Sequence, residues 1–223
     1  MNPIHFDVKP GAGGEVARFG RSVMPRISPQ RQLDRYEAIM AAARSVLATK
    51  GYDFAAIAEI ARLADVSDGL IYRYFDGKQG LLIAVLDEFY HRVIDGLEAA
   101  VQGEQGFRPR FAALVRQHLS VFASDPALCR LFLTEVRTAA DYVGSRIFQL
   151  NRQYTSILLR LIEEGVAEGA VRGDVDPRLI RDLLFGGLEH FAWRYIRADK
   201  AMDLSASQVL ADTLLDGVCG VGR

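Results

Sequence analysis

Hydrophobic residues recur at helical spacing along most of the chain, while the alternating pattern of a half-buried strand is rare. Apolar residues three or four positions apart lie on one face of a helix, so each such run predicts an amphipathic helix. Glycine, proline and short capping residues separate the runs. The pattern predicts an all-α fold of about nine helices.

Capping residues define the expected helix boundaries. Ser28 followed by Pro29 predicts the start of the first helix, and Gly51 predicts its end. Asp76, with Gln79 three positions later, matches a capping box at the start of the fourth helix. The other helices are expected over about residues 55–64, 68–74 (capped by Ser67) and 77–101, then from Pro109, from Asp125-Pro126, and over about 141–168, 177–198 and 206–218.

Residues 54–78 have the spacing that a helix-turn-helix requires. Two short helices must cross steeply over a very short turn, and the small residues Ala61 and Gly69 would allow them to approach closely. Val66 can fill the gap at the turn. These residues therefore predict a helix-turn-helix domain over residues 28–78 that extends into the helix at 77–101.

The third helix is expected to have one buried and one exposed face. Ile71 and Phe75, four positions apart, form the buried face. An exposed helix of this size fits the major groove of DNA, which is about 12 Å wide. Tyrosine hydroxyls, and a lysine at a helix N-terminus, can bind phosphate. The expected DNA contacts are Asp68, Gly69, Leu70, Tyr72, Arg73, Tyr74 and Lys78.

Residues 60–82, IARLADVSDGLIYRYFDGKQGLL, resemble the pattern IA-x-x-A-x-VS-x-G-x-x-Y-x-YF-x-x-K-x-x-L of TetR-family regulators. The resemblance covers roughly residues 33–90. Residues 169–177, GAVRGDVDP, and the Phe-Gly-Gly at 185–187 are similar to the C-terminal part of many members. The family is identified mainly from the longer of these motifs.

The resemblance implies an all-α homodimer with two DNA-binding domains and a larger C-terminal helical bundle. Residues 79–223 would form this ligand-binding and dimerisation domain. The protein would be a repressor that binds a palindromic operator on double-stranded DNA. A small-molecule effector would lower the affinity of the repressor for that operator.

The DNA-binding segment departs from the family in its chemistry. Ala55 and Ala56 stand where Ser or Thr usually begins the second helix, and Asp68 and Leu70 replace commoner polar or basic residues. Residues 55–80 contain three basic and four acidic residues, a net charge of −1. An acidic residue near phosphates weakens binding unless it accepts a hydrogen bond from a cytosine amino group. Either the operator is unusual or another segment supplies the attraction.

The N-terminal segment could supply that attraction. Residues 9–31 contain five basic residues and one acidic residue, a net charge of +4, among several glycines and prolines. This composition predicts a flexible basic arm over residues 1–27. The arm could insert into a minor groove, or it could be a solubilising tail, and the sequence favours neither alternative.

Polar and aromatic residues are interspersed among apolar ones in the C-terminal half. A cavity between helices is typically apolar with a few polar groups, so a hydrophobic or amphipathic effector is expected. Any one of these residues could instead serve core packing or an interface. The candidates for the lining are His118, Phe122, Phe132, Glu135, Tyr142, Phe148, Arg152, Phe185, His190 and Trp193.

The last two helices carry apolar stripes that could form a four-helix bundle with a second copy of the chain. Glycine at 186–187, in the middle of a helix, would let two helices approach across the dimer. The expected interface residues are Leu184, Gly187, Leu188, Phe191, Tyr195, Leu210, Leu214 and Val218.

Several other classes of protein are disfavoured. No histidine has metal-ligand spacing, and no Gly-rich phosphate loop or nucleophile elbow occurs, so neither a metal nor a cofactor is expected. No apolar run is long enough to span a bilayer, no secretion signal is recognisable, and two distant cysteines fit a reducing cytoplasm. Two rivals remain: a helical protein that binds small molecules but has weakened or lost DNA binding, and an enzyme using His118 or His190 with Glu135.

Overall fold

The computed structural model describes residues 28–218, which form nine α-helices and one short π-helical segment. The predicted all-α class and number of helices are confirmed. The proposed arm at residues 1–27 and Cys219 lie outside the described residues. The helices are α1 Pro29–Phe54, α2 Ile57–Leu63, α3 Asp68–Tyr74, α4 Gly77–Gln102, α5 Phe107–Ser124, α6 Pro126–Leu131, α7 Arg146–Ala167, α8 Pro177–Ala198 and α9 Ala206–Val218, with the π-segment Phe132–Val136 after α6.

Side-chain caps place several helix starts where they were predicted. Ser28 accepts a hydrogen bond from the backbone N–H of Arg31 at 3.4 Å, and Pro29 occupies the first turn of α1. Asp125 caps α6 and Asp176 caps α8 in the same way. Gly51, at φ +76°, breaks the helical geometry of α1 just before its end.

Two predicted caps are absent, and two predicted helix starts are wrong. Helices α3 and α4 begin where they were predicted, but Ser67 and Asp76 make no side-chain capping hydrogen bond, so the capping box at Asp76 does not form. Helix α5 begins at Phe107, two residues before Pro109, because Gly106 adopts φ +80° there. Helix α7 begins at Arg146, later than the predicted residue 141, because Ser145 caps it by accepting from the backbone N–H of Phe148.

Helix α4 joins the two parts of the molecule. It has 26 residues, about 39 Å at the α-helical rise of 1.5 Å per residue. It packs on α1 of the N-terminal part and on α5 and α7 of the C-terminal part. Buried apolar residues form one continuous core through both parts, from Ile39 in α1 to Leu215 in α9. Among residues 28–218, none of the helices is long and apolar enough to cross a membrane.

Candidate DNA-binding surface and effector cavity

The turn between α2 and α3 is closed by backbone hydrogen bonds. Asp65 adopts a left-handed φ of +53°, a conformation that Asp tolerates better than most residues. The next residue, Val66, donates its N–H to the carbonyl of Ala61 at 3.0 Å. This pattern is typical of a helix C-terminus that ends in a sharp turn. The turn holds α3 across α2 in the predicted helix-turn-helix arrangement.

Helix α3 has the predicted buried and exposed faces. Ile71 is fully buried, and Phe75 is packed just beyond the end of the helix. The side chains of Asp68 and Arg73 are exposed, and Tyr72 is 61% exposed. Leu70 is half-buried. The face therefore presents a carboxylate, a guanidinium and a phenol to the surroundings.

Gly69 does not serve helix approach, which corrects that part of the sequence analysis. A Cβ built at this position would meet no heavy atom within 4 Å. The space lies on the exposed face of α3, so it remains available to a partner. Its expected role in DNA contact stays a prediction.

Lys78 is bound by the protein itself. Its ammonium group donates to the backbone carbonyls of Tyr52 at 2.6 Å and Asp53 at 3.2 Å. It also lies 4.4 Å from the centroid of the Tyr52 ring, a cation–π distance. An ammonium group has three donors, so one remains for a phosphate. Tyr74 is partly covered by Tyr36, whose ring centroid is 6.1 Å away.

The end of α1 is also held by the C-terminal part of the molecule. The carboxylate of Glu135, in the π-segment, accepts the backbone N–H of Tyr52 at 2.7 Å. A Cβ at Gly51 would lie 2.7 Å from the other Glu135 oxygen, which is too close. Glu135 therefore contacts the DNA-binding unit and is absent from the residues that line the cavities, which corrects its predicted role in the pocket.

A second polar contact joins the same two regions. Asp125, at the start of α6, forms an ion pair with Arg44 of α1 and lies 3.8 Å from Arg92 of α4. The two contacts, at Asp125 and Glu135, flank residues 126–134. We call residues 125–136 the coupling segment.

An open cavity of about 590 Å³ lies between α7 and α8. Its volume is within the range of small-molecule sites. Four arginines line it. Arg137 pairs with Glu189 at 2.7 Å and Arg181 with Asp182 at 2.7 Å, whereas Arg152 and Arg178 form no ion pair with any of residues 28–218.

An inner cavity of only about 40 Å³ lies in the aromatic core and shares four lining residues with the open one. This volume is close to that of a single water molecule. Phe122, Phe132 and Cys129 are among its lining residues. Burial raises the pKa of the Cys129 thiol well above its usual range, so the thiol stays protonated. We call the inner cavity closed because a volume of about 40 Å³ is too small for a hydrocarbon chain.

His118 lies where the two cavities meet. Its Nδ1 is 2.8 Å from the Tyr154 hydroxyl, and its ring packs against Phe122 and Phe185 at centroid distances of 5.2 and 4.8 Å. Burial lowers the pKa of the imidazole to about 3, so the ring is neutral near pH 7.

Most of the predicted pocket residues do come together. His118, Phe148, Arg152 and Phe185 line the open cavity, His118, Phe122 and Phe132 line the inner one, and Tyr142 stacks edge-on against Phe132 and Phe148. His190 and Trp193 lie in a neighbouring outer groove. His118 and Glu135 are engaged at different places, since His118 contacts Tyr154 and Glu135 binds the Tyr52 backbone.

Several lining residues are not among those predicted from the sequence. Tyr154, Asn151, Arg137, Arg178, Arg181 and Glu189 all face a cavity. Helical spacing gave a usable signal for one group, since positions 178, 181, 185 and 189 follow one face of α8. Nothing in the sequence distinguished Tyr154 from an ordinary core tyrosine.

The predicted dimer residues divide into two groups. Leu184 and Leu188 are only 1% exposed in the protomer, so they have no surface left to bury, and the prediction is wrong at these two positions. The exposed apolar side chains of α8 are instead Leu179 and Leu183, at 55% and 56% exposure. Gly187 has open space above it. Phe191, Tyr195, Leu210 and Leu214 are half-buried, and the side chain of Val218 lies outside the described residues.

Among residues 28–218, no three or more His, Cys, Asp or Glu side chains gather in a way that could hold a metal. The site is instead an exposed helix-turn-helix joined to a helical bundle with an internal cavity. These features together define a class of DNA-binding protein that can respond to a small molecule.

Comparison with known sequences assigns the family. The model of "bacterial regulatory proteins, tetR family" matches residues 39–85, and that of "YsiA-like protein, C-terminal region" matches residues 86–217. The chain belongs to the TetR family and is a ligand-responsive, DNA-binding regulator of transcription.

Two curated relatives and one solved structure cover most of the chain. The fatty acid metabolism regulator protein of Bacillus subtilis is 28% identical over 185 residues, covering 82% of this chain and 95% of the relative. The transcriptional repressor KstR2 of Mycolicibacterium smegmatis is 25% identical over 191 residues, covering 82% and 88%. The crystal structure of the regulator FadR from Bacillus subtilis in complex with stearoyl-CoA matches with a TM-score of 0.75 and 28% identity, covering 82% of this chain and 98% of that one.

Proposed function

We propose that this protein is a homodimeric repressor that long-chain acyl-CoA releases from a palindromic operator. The observation that carries the proposal is the pairing of an arginine-lined opening with a closed aromatic interior. An acyl-CoA has the matching chemistry, since its head group carries phosphates and its tail is a hydrocarbon. The similarity to a regulator solved with stearoyl-CoA supports the same ligand class.

The arginines at the opening suit a phosphorylated head group. Guanidinium groups bind phosphate through two parallel N–H donors. Arg152 and Arg178 have no carboxylate partner among residues 28–218, so a phosphate would not have to displace one. Arg137 is held by Glu189 and is less available.

The closed interior connects ligand entry to the DNA-binding unit. A hydrocarbon tail cannot enter a space of about 40 Å³ unless the lining side chains move. Cys129, Phe132 and Leu133 of that lining belong to the coupling segment. The same segment holds α1 through Asp125 and Glu135. Opening the interior would therefore shift α1 and, through it, the spacing of the two recognition helices in a dimer.

Calorimetric titration of the full chain tests the ligand class. We expect stearoyl-CoA to bind at least tenfold more tightly than either coenzyme A or stearate, because each of these lacks one half of the matching chemistry. The double variant R152Q/R178Q should bind stearoyl-CoA about tenfold more weakly, since two charge-assisted contacts are lost. Arg116 is exposed on α5 outside the cavity linings, so R116Q is the matched control. Equal affinity for all three ligands would contradict the proposal.

Two features of the DNA-binding face support a second candidate function, that of a ligand-binding protein without DNA binding. Asp68 is exposed on α3, and α2 begins without a side-chain cap. A protein that binds acyl-CoA but has lost DNA binding is consistent with these two features. Selection of bound duplexes from a random pool separates the two functions, because a repressor enriches a palindromic sequence and the rival enriches none. We propose no enzymatic step in either case.

A further inference from the structure

The open and inner cavities share four lining residues. These are His118, Asn151, Tyr154 and Glu189, and we call them the neck. On one side of the neck lie the arginines, and on the other lies the aromatic interior. A ligand with a charged head and an apolar tail must therefore place the junction of its two halves at the neck.

One polar atom of the neck lacks a partner. His118 is 5% exposed, and its Nε2 has no hydrogen bond to any of residues 28–218. A buried polar atom left unpaired costs free energy, and such atoms are rare in native proteins. The atom is therefore available to a ligand group that enters the neck.

The hydrogen bond on the other side of the ring orients the imidazole. Burial keeps both the imidazole neutral and the Tyr154 hydroxyl protonated. The Tyr154 O–H can then donate to Nδ1 at 2.8 Å, which leaves the ring proton on Nε2. Tyr154 is a positioning residue in this arrangement, because it acts through His118.

We propose that the Nε2–H of His118 donates a hydrogen bond to the thioester carbonyl of a bound acyl-CoA. The proposal rests on the proposed function and specifies where the acyl group begins within the cavity. The neck thereby recognises the acyl linkage itself, in addition to the head and the tail.

The other neck residues are engaged elsewhere. Glu189 pairs with Arg137, and a carboxylate would repel a carbonyl oxygen. The Asn151 oxygen accepts the Tyr90 hydroxyl at 3.2 Å and its amide also interacts with Tyr142, and an amide N–H₂ has two donors, so Asn151 is a second donor in the neck. The experiment must therefore separate His118 from Asn151.

Two ligands that differ only at the carbonyl, tested on wild type and His118 variants, separate the roles of His118 and Asn151. S-Octadecyl-CoA, a thioether, differs from stearoyl-CoA only in a methylene that replaces the carbonyl. We expect the wild-type chain to bind the thioester about five- to tenfold more tightly in calorimetric titrations, the effect of one buried hydrogen bond. In H118F this ratio should fall to within about twofold. H118Q retains an amide donor, so its ratio should lie between the two.

Phe122 supplies the matched control. Its ring contacts His118 at 5.2 Å but carries no hydrogen-bond donor. F122L should therefore weaken both ligands alike and keep the ratio. Infrared spectra of stearoyl-CoA labelled with ¹³C at the carbonyl add a readout that needs no variant, because a hydrogen bond lowers the stretching frequency of the carbonyl on binding.

The outcomes are distinct. A thioester-to-thioether affinity ratio near one in the wild type, or an unshifted carbonyl band, would overturn the role of His118. A ratio in H118F as large as that of the wild type would also overturn it, and would point to Asn151 as the donor. If neither ligand binds the wild type, the proposed function fails together with this inference. If both bind equally well, the proposed function stands and only the inference fails. Should H118F not fold, H118Q and the infrared band still decide.

Discussion

The helix-turn-helix and the effector cavity are both helical, but they are built in opposite ways. The helix-turn-helix comes from one continuous segment, residues 54–78, and its polar side chains face outward. The cavity takes its lining from five separate helices and the π-segment, and its polar side chains face inward. The first region is closely packed around Ile60 and Ile71, whereas the second retains unfilled volume and a buried imidazole nitrogen without a partner.

This difference suits the tasks of the two regions. We call the helix-turn-helix, residues 54–78, the reader because it is expected to read DNA, and we call the cavity region the sensor because it is expected to bind the effector. A recognition helix must keep one geometry to match the groove, so its support is a filled core. A sensor must have two arrangements of similar free energy, and a closed cavity lined by movable side chains provides them. The coupling segment is the place where the two requirements meet.

The largest expected effect comes from the core of the reader. I71A removes a fully buried side chain from α3 and should lower the free energy of unfolding by about 2–4 kcal/mol. Chemical denaturation followed by circular dichroism measures this loss. Leu63 is exposed on α2, so L63A should change the stability by less than about 0.5 kcal/mol. If I71A also abolished stearoyl-CoA binding under conditions where the chain is folded, the two regions would not be separable.

The next effect concerns the buried imidazole of the sensor. His118 has a folded-state pKa of about 3, against about 6.5 in an unfolded chain. Between these values only the unfolded state takes up the proton, so stability is lost as the pH falls from about 6.5 towards 3. From pH 7 to pH 5 this loss is about 2 kcal/mol.

A comparison with H118F isolates that contribution. Burial raises the pKa of Glu189, which acts in the opposite direction, because the folded state then protonates first as the pH falls. Urea denaturation of both proteins at pH 7 and pH 5 should show the wild type losing about 2 kcal/mol more than H118F. Identical pH dependence in the two proteins would contradict a buried, neutral His118.

A smaller effect tests the link between reader and sensor. E135Q weakens the charge-assisted hydrogen bond to the Tyr52 backbone at the end of α1. Stearoyl-CoA affinity should stay within about twofold, while the ligand-induced change in operator affinity should shrink about tenfold, because a coupling contact is lost. Glu88 is exposed on α4 and lines a different groove, between α1 and α4, so E88Q provides the control. A simple loss of ligand affinity in E135Q would place Glu135 in the cavity after all.

The smallest effect concerns the exposed face of α3. Y72F removes a hydroxyl that we expect to bind phosphate and should weaken operator binding about three- to tenfold, equally for specific and random duplexes. Fluorescence anisotropy at two salt concentrations measures both affinities. A change confined to the specific duplex would instead make Tyr72 a base-reading residue.

Local patterns in the sequence predicted the reader well. Ala61, Val66, Ile71 and Phe75 lie within 15 consecutive positions, so their spacing alone defines the two crossed helices. The role of Gly69 was misjudged because small size is compatible both with helix packing and with open space. The structure distinguishes the two, since nothing lies within 4 Å of that position.

The sensor was harder to predict because its contacts join distant positions. Glu135 binds the backbone of Tyr52, 83 residues away, and no local pattern indicates such a pair. Leu183 and Leu184 are neighbours in an apolar stripe of α8. A rotation of the helix about its axis by one residue position decides which of them faces the core. Tyr154 of the neck could not be predicted either, because its role depends on one hydrogen bond to His118, 36 residues away.

Operator release by acyl-CoA is the central claim, and one titration tests it most directly. A labelled duplex carrying the sequence selected from a random pool is saturated with the full chain and titrated with stearoyl-CoA while anisotropy is followed. The account predicts that the signal falls to that of free duplex, and that coenzyme A alone leaves it unchanged. An operator that stays bound when calorimetry shows the cavity saturated with stearoyl-CoA would contradict the account.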